Sequence, residues 1–134
     1  MAGRFGFGKA EKLKSRKQIE EIFLSGKNFG SYPLRVIYKV VPQENGVPVK
    51  VGVSVSKRYF KKAVHRNRIK RLMREAYRLQ KEELVNSLRE QQKGLVVFFI
   101  YNHKELPNFS TLKEAMAKSL DQLQKRSNED EPGT

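Results

Sequence analysis

The chain has 134 residues, the length of one ordinary domain that can build its own core. Twenty-eight Lys and Arg against 14 Asp and Glu leave a net charge of +14, which points to a polyanionic partner, most often nucleic acid. With no cysteine, a disulfide framework, a cysteine-built zinc finger and a thiol nucleophile are all excluded.

Residues 1–12 mix Gly3, Gly6 and Gly8 with Arg4, Phe5, Phe7 and Lys9, a stretch expected to stay flexible until it meets a partner. It holds no apolar run of the kind a secretory signal needs. The longest apolar run, 95–101, is far too short to span a bilayer. The expectation is a soluble, cytoplasmic chain with no membrane partner.

A first helix is expected from Ser15, where Ser15 and Gln18 make a capping-box pattern. Ile19, Ile22 and Phe23 then share one helical face, and Gly26 suits the helix end because it tolerates positive φ. Residues 34–41 are rich in β-branched and aromatic side chains and read as a strand. Segment 31–34, or the edge near Phe29, can add a further short strand. Pro42 and Asn45-Gly46 supply turn chemistry. Next, Val47, Val49, Val51, Val53 and Val55 alternate with Pro48, Lys50, Gly52, Ser54 and Ser56. Period two puts the valines on one face and leaves the other small and polar, open to close approach by a backbone or ligand.

A long helix is expected over 63–91, its apolar stripe marked by Ile69, Leu72, Met73, Ala76 and Leu79, with Gly94 as its breaker. Residues 95–101 read as a strand buried on both faces, and 102–108 as a loop around Pro107. A strand, a long helix and another strand suggest a parallel pair joined by a crossover. A last helix should start near Ser110 or Thr111, where Thr111 and Glu114 repeat the capping pattern. Its inner face would be Leu112, Ala115, Met116, Leu120 and Leu123. Residues 127–134 are acidic and lack apolar side chains, so disorder is expected there. The whole reads as one α+β, two-layer domain over residues 1–126, with a small mixed sheet.

The positive charge is concentrated. Lys57, Arg58, Lys61, Lys62, Arg66, Arg68, Lys70, Arg71 and Arg74 fall within eighteen positions that contain no acid. Like charges so close repel one another unless a polyanion neutralises them. On a helix, Asn67, Arg71, Arg74 and Arg78 line up opposite the apolar stripe, flanked by Lys70 and Lys81. Guanidinium forks fit phosphate oxygens bidentately. Asn67, near the helix start, can cap it or contact a sugar or base. Ile19, Phe23 and Tyr38, beside the small strand face, offer a surface on which unpaired bases could stack. The residues alone favour plain core roles for Ile19 and Phe23. His65 and His103 are the two histidines, and His65 among cations fits a phosphate contact or a bystander better than a catalyst. No acidic pair suggests a metal site, and no catalytic residue is expected in the chain.

The run Lys61-Lys62-Ala63-Val64-His65-Arg66-Asn67-Arg68-Ile69-Lys70-Arg71-Leu72-Met73-Arg74-Glu75-Ala76-Tyr77-Arg78, after Val53-Ser54-Val55-Ser56-Lys57, resembles the signature of the bacterial ribonuclease P protein subunit. The order of elements is similar from Leu13 to about Arg126. The resemblance implies an α-β-β-β-α-β-α domain with a left-handed crossover. It implies a helper protein that binds a large catalytic RNA, which with Mg2+ held mainly by that RNA removes the 5′ leader of precursor tRNA. Other small structured RNAs could also be substrates, and no small-molecule substrate is implied.

By that resemblance Lys57, Arg58, Lys61, Lys62, Arg66, Asn67, Arg68, Lys70, Arg71, Arg74 and Arg78 would face the catalytic RNA. Ile19, Phe23, Tyr38, Ser54 and Ser56 would line a leader cleft between the first helix and the sheet. Two departures stand out. Many relatives carry an aromatic where Ile19 stands, a surface lost here or supplied elsewhere, for instance by Tyr32. Many also have a glycine where this chain reads Tyr59-Phe60-Lys61-Lys62. The residues themselves also suit a ribosomal or RNA-chaperone binding module, or a basic ribonuclease using His65.

Overall fold

A computed structural model of the chain describes residues 11–43 and 46–130. The elements in order are α1 (Arg16–Ser25), β1 (Lys27–Ser31), β2 (Leu34–Pro42), β3 (Val49–Val55), α2 (Ala63–Gln80), α3 (Glu82–Gln91), β4 (Lys93–Tyr101) and α4 (Phe109–Glu129). The strands form one mixed sheet in the order β1-β2-β4-β3. β1 and β4 both run antiparallel to β2, while β3 and β4 are parallel and joined through α2 and α3. This is the expected α+β domain, with the short extra strand supplied by β1.

Strand alternation sorts the two sheet faces. Tyr38 of β2, Val51 of β3 and Phe99 of β4 point with their odd- or even-numbered neighbours into the main core, against Ile69 and Met73 of α2, Leu84 and Leu88 of α3, and Leu112 and Met116 of α4. The five predicted inner residues of α4 are all buried. On the far face α1 lays Ile22, with Leu13, over Val96, and Ile19, Ile37, Val41 and Phe98 pack around them. The two-layer arrangement therefore carries one additional short helix on its second face.

Several local expectations change. The helix expected over 63–91 is two helices that meet at Lys81. No Gly or Pro marks the break. Lys81 is drawn inward, only 3% exposed, and its ammonium donates to both carboxylate oxygens of Glu11 at 2.8 Å. Gln92, in the left-handed conformation at φ 57°, ends α3. Gly94 lies instead within β4, where a β-carbon would come within 3.0 Å of the Pro42 carbonyl oxygen. Gly26 likewise has an ordinary φ of −75°; glycine is required because a β-carbon would stand 2.4 Å from the Ile22 carbonyl oxygen. Ser15 caps α1 as expected, accepting from the Gln18 amide. Asn108 rather than Thr111 caps α4, accepting from the Thr111 amide at 2.8 Å.

The ends are tied down further than expected. Of residues 1–12, Glu11 holds Lys81 and Lys12 bridges to Val51 on the β3 edge, while residues 1–10 lie outside the described residues. Residues 127–134 were expected to be disordered, but α4 runs through Glu129 and Ser127 is buried. Lys93 donates to the carbonyls of Ser127 and Asp130, and Lys27 pairs with Asp130 at 2.9 Å. Cations at a helix C-terminus satisfy its orphan carbonyls and offset its dipole. The Asp130 carboxylate also holds the Lys27 ammonium above its usual range. Residues 131–134 lie outside the described residues.

Candidate nucleic-acid interface

α2 is amphipathic, and its angular order decides what faces outward. At about 100° per residue, Ile69, Met73, Ala76 and Tyr77 point inward, and Asn67, Arg71, Arg74 and Arg78 fall on the opposite side. The buried set is those first four. Leu79, expected in the stripe, lies about a quarter-turn off its centre and is 45% exposed, and Tyr77 takes the inner place instead.

Asn67, Arg71, Arg74, Glu75 and Arg78 line an open hollow of about 410 Å³. Arg78 grips Glu75 with two hydrogen bonds, 3.1 Å from Nε and 2.5 Å from Nη2. That guanidinium holds the Glu75 carboxyl below the usual carboxylate range. Arg71 and Arg74 are exposed, as are Lys57, Arg58, Lys61, Lys62 and Arg68, while Lys70 is half-buried.

Three residues of the predicted ridge and its flanks behave differently. Lys81 is buried against Glu11 rather than flanking the ridge. Arg66 is half-buried, and its Nη1 donates to the carbonyls of Phe60 and Lys61, both at 2.7 Å. It braces the loop in front of α2. Asn67 sits in the second turn and lines the hollow; the N-cap of α2 is Lys62, with no side-chain cap and no acid in the first turn. The amides of that first turn thus add positive potential where Lys61 and Lys62 already stand.

The second surface lies between α1 and the sheet. Phe23 is 50% exposed and meets Phe98 edge to face, centroids 5.3 Å apart. The Phe98 ring overlies Gly52, where a β-carbon would come within 2.7 Å of it. Gly52 of β3 therefore makes the room in which Phe98 lies. Ser54 and Ser56 continue that strand and are half-buried, and Ile19 is half-buried beside Ile22. Tyr38 is the correction here. It is 1% exposed in the main core, edge to face with Phe29, on the sheet side away from α1. Its neighbour Ile37 faces α1 instead. Strand parity decides this, and a one-residue difference moves a side chain to the other face.

Phe98 was missed as a groove residue because an unbroken apolar run gives no sign of which side is open. The alternation inherited from Val97 and Phe99, both fully buried, could have found it. Arg35 and Lys39, on the α1 side of β2, were also missed; Arg35 donates to Asn28 of β1 and Lys39 to Ser25 at the end of α1. Among the described residues no three His, Cys, Asp or Glu side chains gather where a metal ion could be held. Also among the described residues, no helix is long and apolar enough to cross a membrane.

Comparison with known proteins agrees with this geometry. A sequence model of the family Ribonuclease P matches residues 7–124. A ribonuclease P protein component from Porphyromonas gingivalis is 45% identical over 116 residues, covering 87% of this chain and 85% of its own length. One from Chlorobium phaeobacteroides is 32% identical over 122 residues, covering 84% of each. The solved ribonuclease P protein from Thermotoga maritima superposes with a TM-score of 0.66 at 25% identity, over 84% of this chain and 96% of that one. That from Staphylococcus aureus, at 20% identity and a TM-score of 0.62 over 86% of this chain and 96% of its own, shares the fold. The chain therefore belongs to the ribonuclease P protein family, the RNA-binding protein components of a tRNA-processing endoribonuclease that associate with ribonuclease P RNA.

Proposed function

We propose that this chain uses its two surfaces for two RNAs. The ridge from Lys57 to Arg78 lies against the catalytic RNA, and the groove floored by Phe98, Gly52 and Ser54 takes the single-stranded 5′ leader of precursor tRNA. Bond breaking belongs to the RNA. In this reading the Mg2+ ions are held mainly by the RNA as well.

The observation that carries this reading is the hollow of Asn67, Arg71, Arg74 and Arg78 on the solvent side of a helix whose other side is fully buried. Arg71 and Arg74 offer forked donors to a phosphate ladder, with the Asn67 amide and the Glu75-held Arg78 beside them. They also screen the repulsion between two polyanions that must approach each other. In the groove, half-exposed Phe23 offers a stacking face that does not depend on base identity, as a substrate class with many leader sequences requires.

The test is reconstitution at low Mg2+. The protein should raise 5′ cleavage by the catalytic RNA and should favour precursor over mature tRNA; the protein alone should cut neither. If about 6–10 phosphates are contacted, affinity should fall by ~10³–10⁵ between 50 and 200 mM salt, on the duplex-DNA scale. A flat salt response, or cleavage by RNA-free protein, would overturn the proposal.

A further inference from the structure

Tyr32 is 76% exposed, yet it is held in place. Its hydroxyl bonds His103 Nε2, and its ring meets the imidazole edge to face at 5.1 Å and 90°. The imidazole is fixed in turn, since Nδ1 accepts from the Glu105 amide at 3.1 Å. Behind it stand Tyr101, 6.4 Å from His103, and Phe60, 6.1 Å from Tyr101. The Tyr101 hydroxyl donates to the Glu105 carbonyl at 2.6 Å, closing the loop that carries His103. The row thus runs from the buried Phe60 and Tyr101 to an outward-facing ring.

Its position gives that ring a use. Leu34, two residues after Tyr32, pairs with Tyr101, and Val55 pairs with Tyr101 from the other side. Ser56 donates its amide to the Tyr101 carbonyl. The pair therefore stands at the sheet end where Ser54 and Ser56 lead into the acid-free segment Lys57 to Lys62. Phe60, the foot of the aromatic row, belongs to that same segment and is braced by Arg66.

We propose that Tyr32, positioned by His103, is a stacking subsite for one unpaired nucleobase of the precursor leader, with the neighbouring phosphates held by the Lys57 to Lys62 loop. This rests on the leader reading above and adds a residue pair to it. An exposed aromatic ring already fixed by two partners loses little conformational freedom on binding. A flat π-face beside cations is the combination that single-stranded RNA selects. Charge complementarity argues for RNA as the occupant.

The chain has no tryptophan, so Tyr32→Trp introduces a unique fluorophore at an exposed position. In the reconstituted complex its emission should be quenched by precursor tRNA and left unchanged by mature tRNA. Tyr32→Ala should weaken precursor binding by roughly fivefold or more, the scale of one base–aromatic stack, and leave mature tRNA binding unchanged. Tyr32→Phe, which keeps the ring and loses the hydroxyl, should fall between Tyr32→Ala and wild type. No quenching by precursor, equal quenching by mature tRNA, or quenching complete on the catalytic RNA alone would overturn the subsite. If wild-type protein prefers precursor and Tyr32→Ala prefers it equally, only the subsite falls. If wild type shows no preference at all, the leader reading falls with it.

Discussion

Phe98 and Gly52 are complementary across the β3–β4 pair: they stand opposite each other in the register, and the ring occupies the space a side chain at 52 would need. Gly52→Ala places a carbon 2.7 Å from two ring carbons, so the ring must swing toward Phe23. We expect a loss of about 1–3 kcal/mol in stability, the usual cost of overpacking. Precursor affinity should fall while catalytic-RNA affinity holds. Adding Phe98→Leu, a smaller side chain, should recover part of the stability in thermal unfolding but not the precursor affinity.

Lys81 and Glu11 give an ordered pair of outcomes. Lys81 is buried, whereas the Glu11 side chain is 30% exposed and can be hydrated. Glu11→Ala strips a buried ammonium of its carboxylate and should cost about 3 kcal/mol. Lys81→Met keeps the packed stem and leaves Glu11 near water, so it should cost less. Thermal midpoints of the two variants check the order. A larger loss in Lys81→Met would mean that the ammonium is held chiefly by other groups.

Arg71→Ala and Arg74→Ala should leave the thermal midpoint within experimental error, because both side chains point away from the core. Each should lower affinity for the catalytic RNA by roughly tenfold, the scale of one charge-assisted hydrogen bond. Each should also reduce the slope of log affinity against log salt by about 1. Arg66→Ala should differ, lowering stability as well, since its guanidinium holds the Phe60 and Lys61 carbonyls.

Tyr101 sets an alkaline limit. Burial, with smaller contributions from Tyr32 and Glu105, pushes its phenol from an ordinary value of 10.0 up to about 12. The folded state therefore resists an ionisation that the unfolded chain accepts. The stability is complete below pH 10 and is lost as pH rises toward about 12. Tyr77, buried deeper, is pushed further in the same direction. Tyr101→Phe should flatten this alkaline limb in pH-dependent unfolding, and should lower stability at neutral pH by about 1 kcal/mol for the lost bond to Glu105.

Much of the fold was legible because periodicity reports burial directly. The alternating valines of β3, the inner face of α4 and the arginine stripe of α2 each follow from spacing alone, since side chains at period 2 or about 3.6 must share a face. The α2 break was not legible, because no Gly or Pro marks it and the residue at the junction, Lys81, is buried against a carboxylate seventy residues away. The order of residues 127–130 was equally hidden, since Lys93 and Lys27 hold that helix end from distant strands.

The sequence by itself determined a cationic ridge backed by an apolar stripe, because both lie on one helix and only local geometry relates them. The tertiary structure alone decided which side chains share the sheet face under α1. Ile37 rather than Tyr38 faces α1, and Phe98 lies over Gly52, because strand pairing and parity assign each side chain to a sheet face. It also decided that Tyr32 meets His103, residues 71 positions apart that share the end of the sheet through the pairing of Leu34 with Tyr101. Contacts of that range are set by sheet register, which no local pattern encodes.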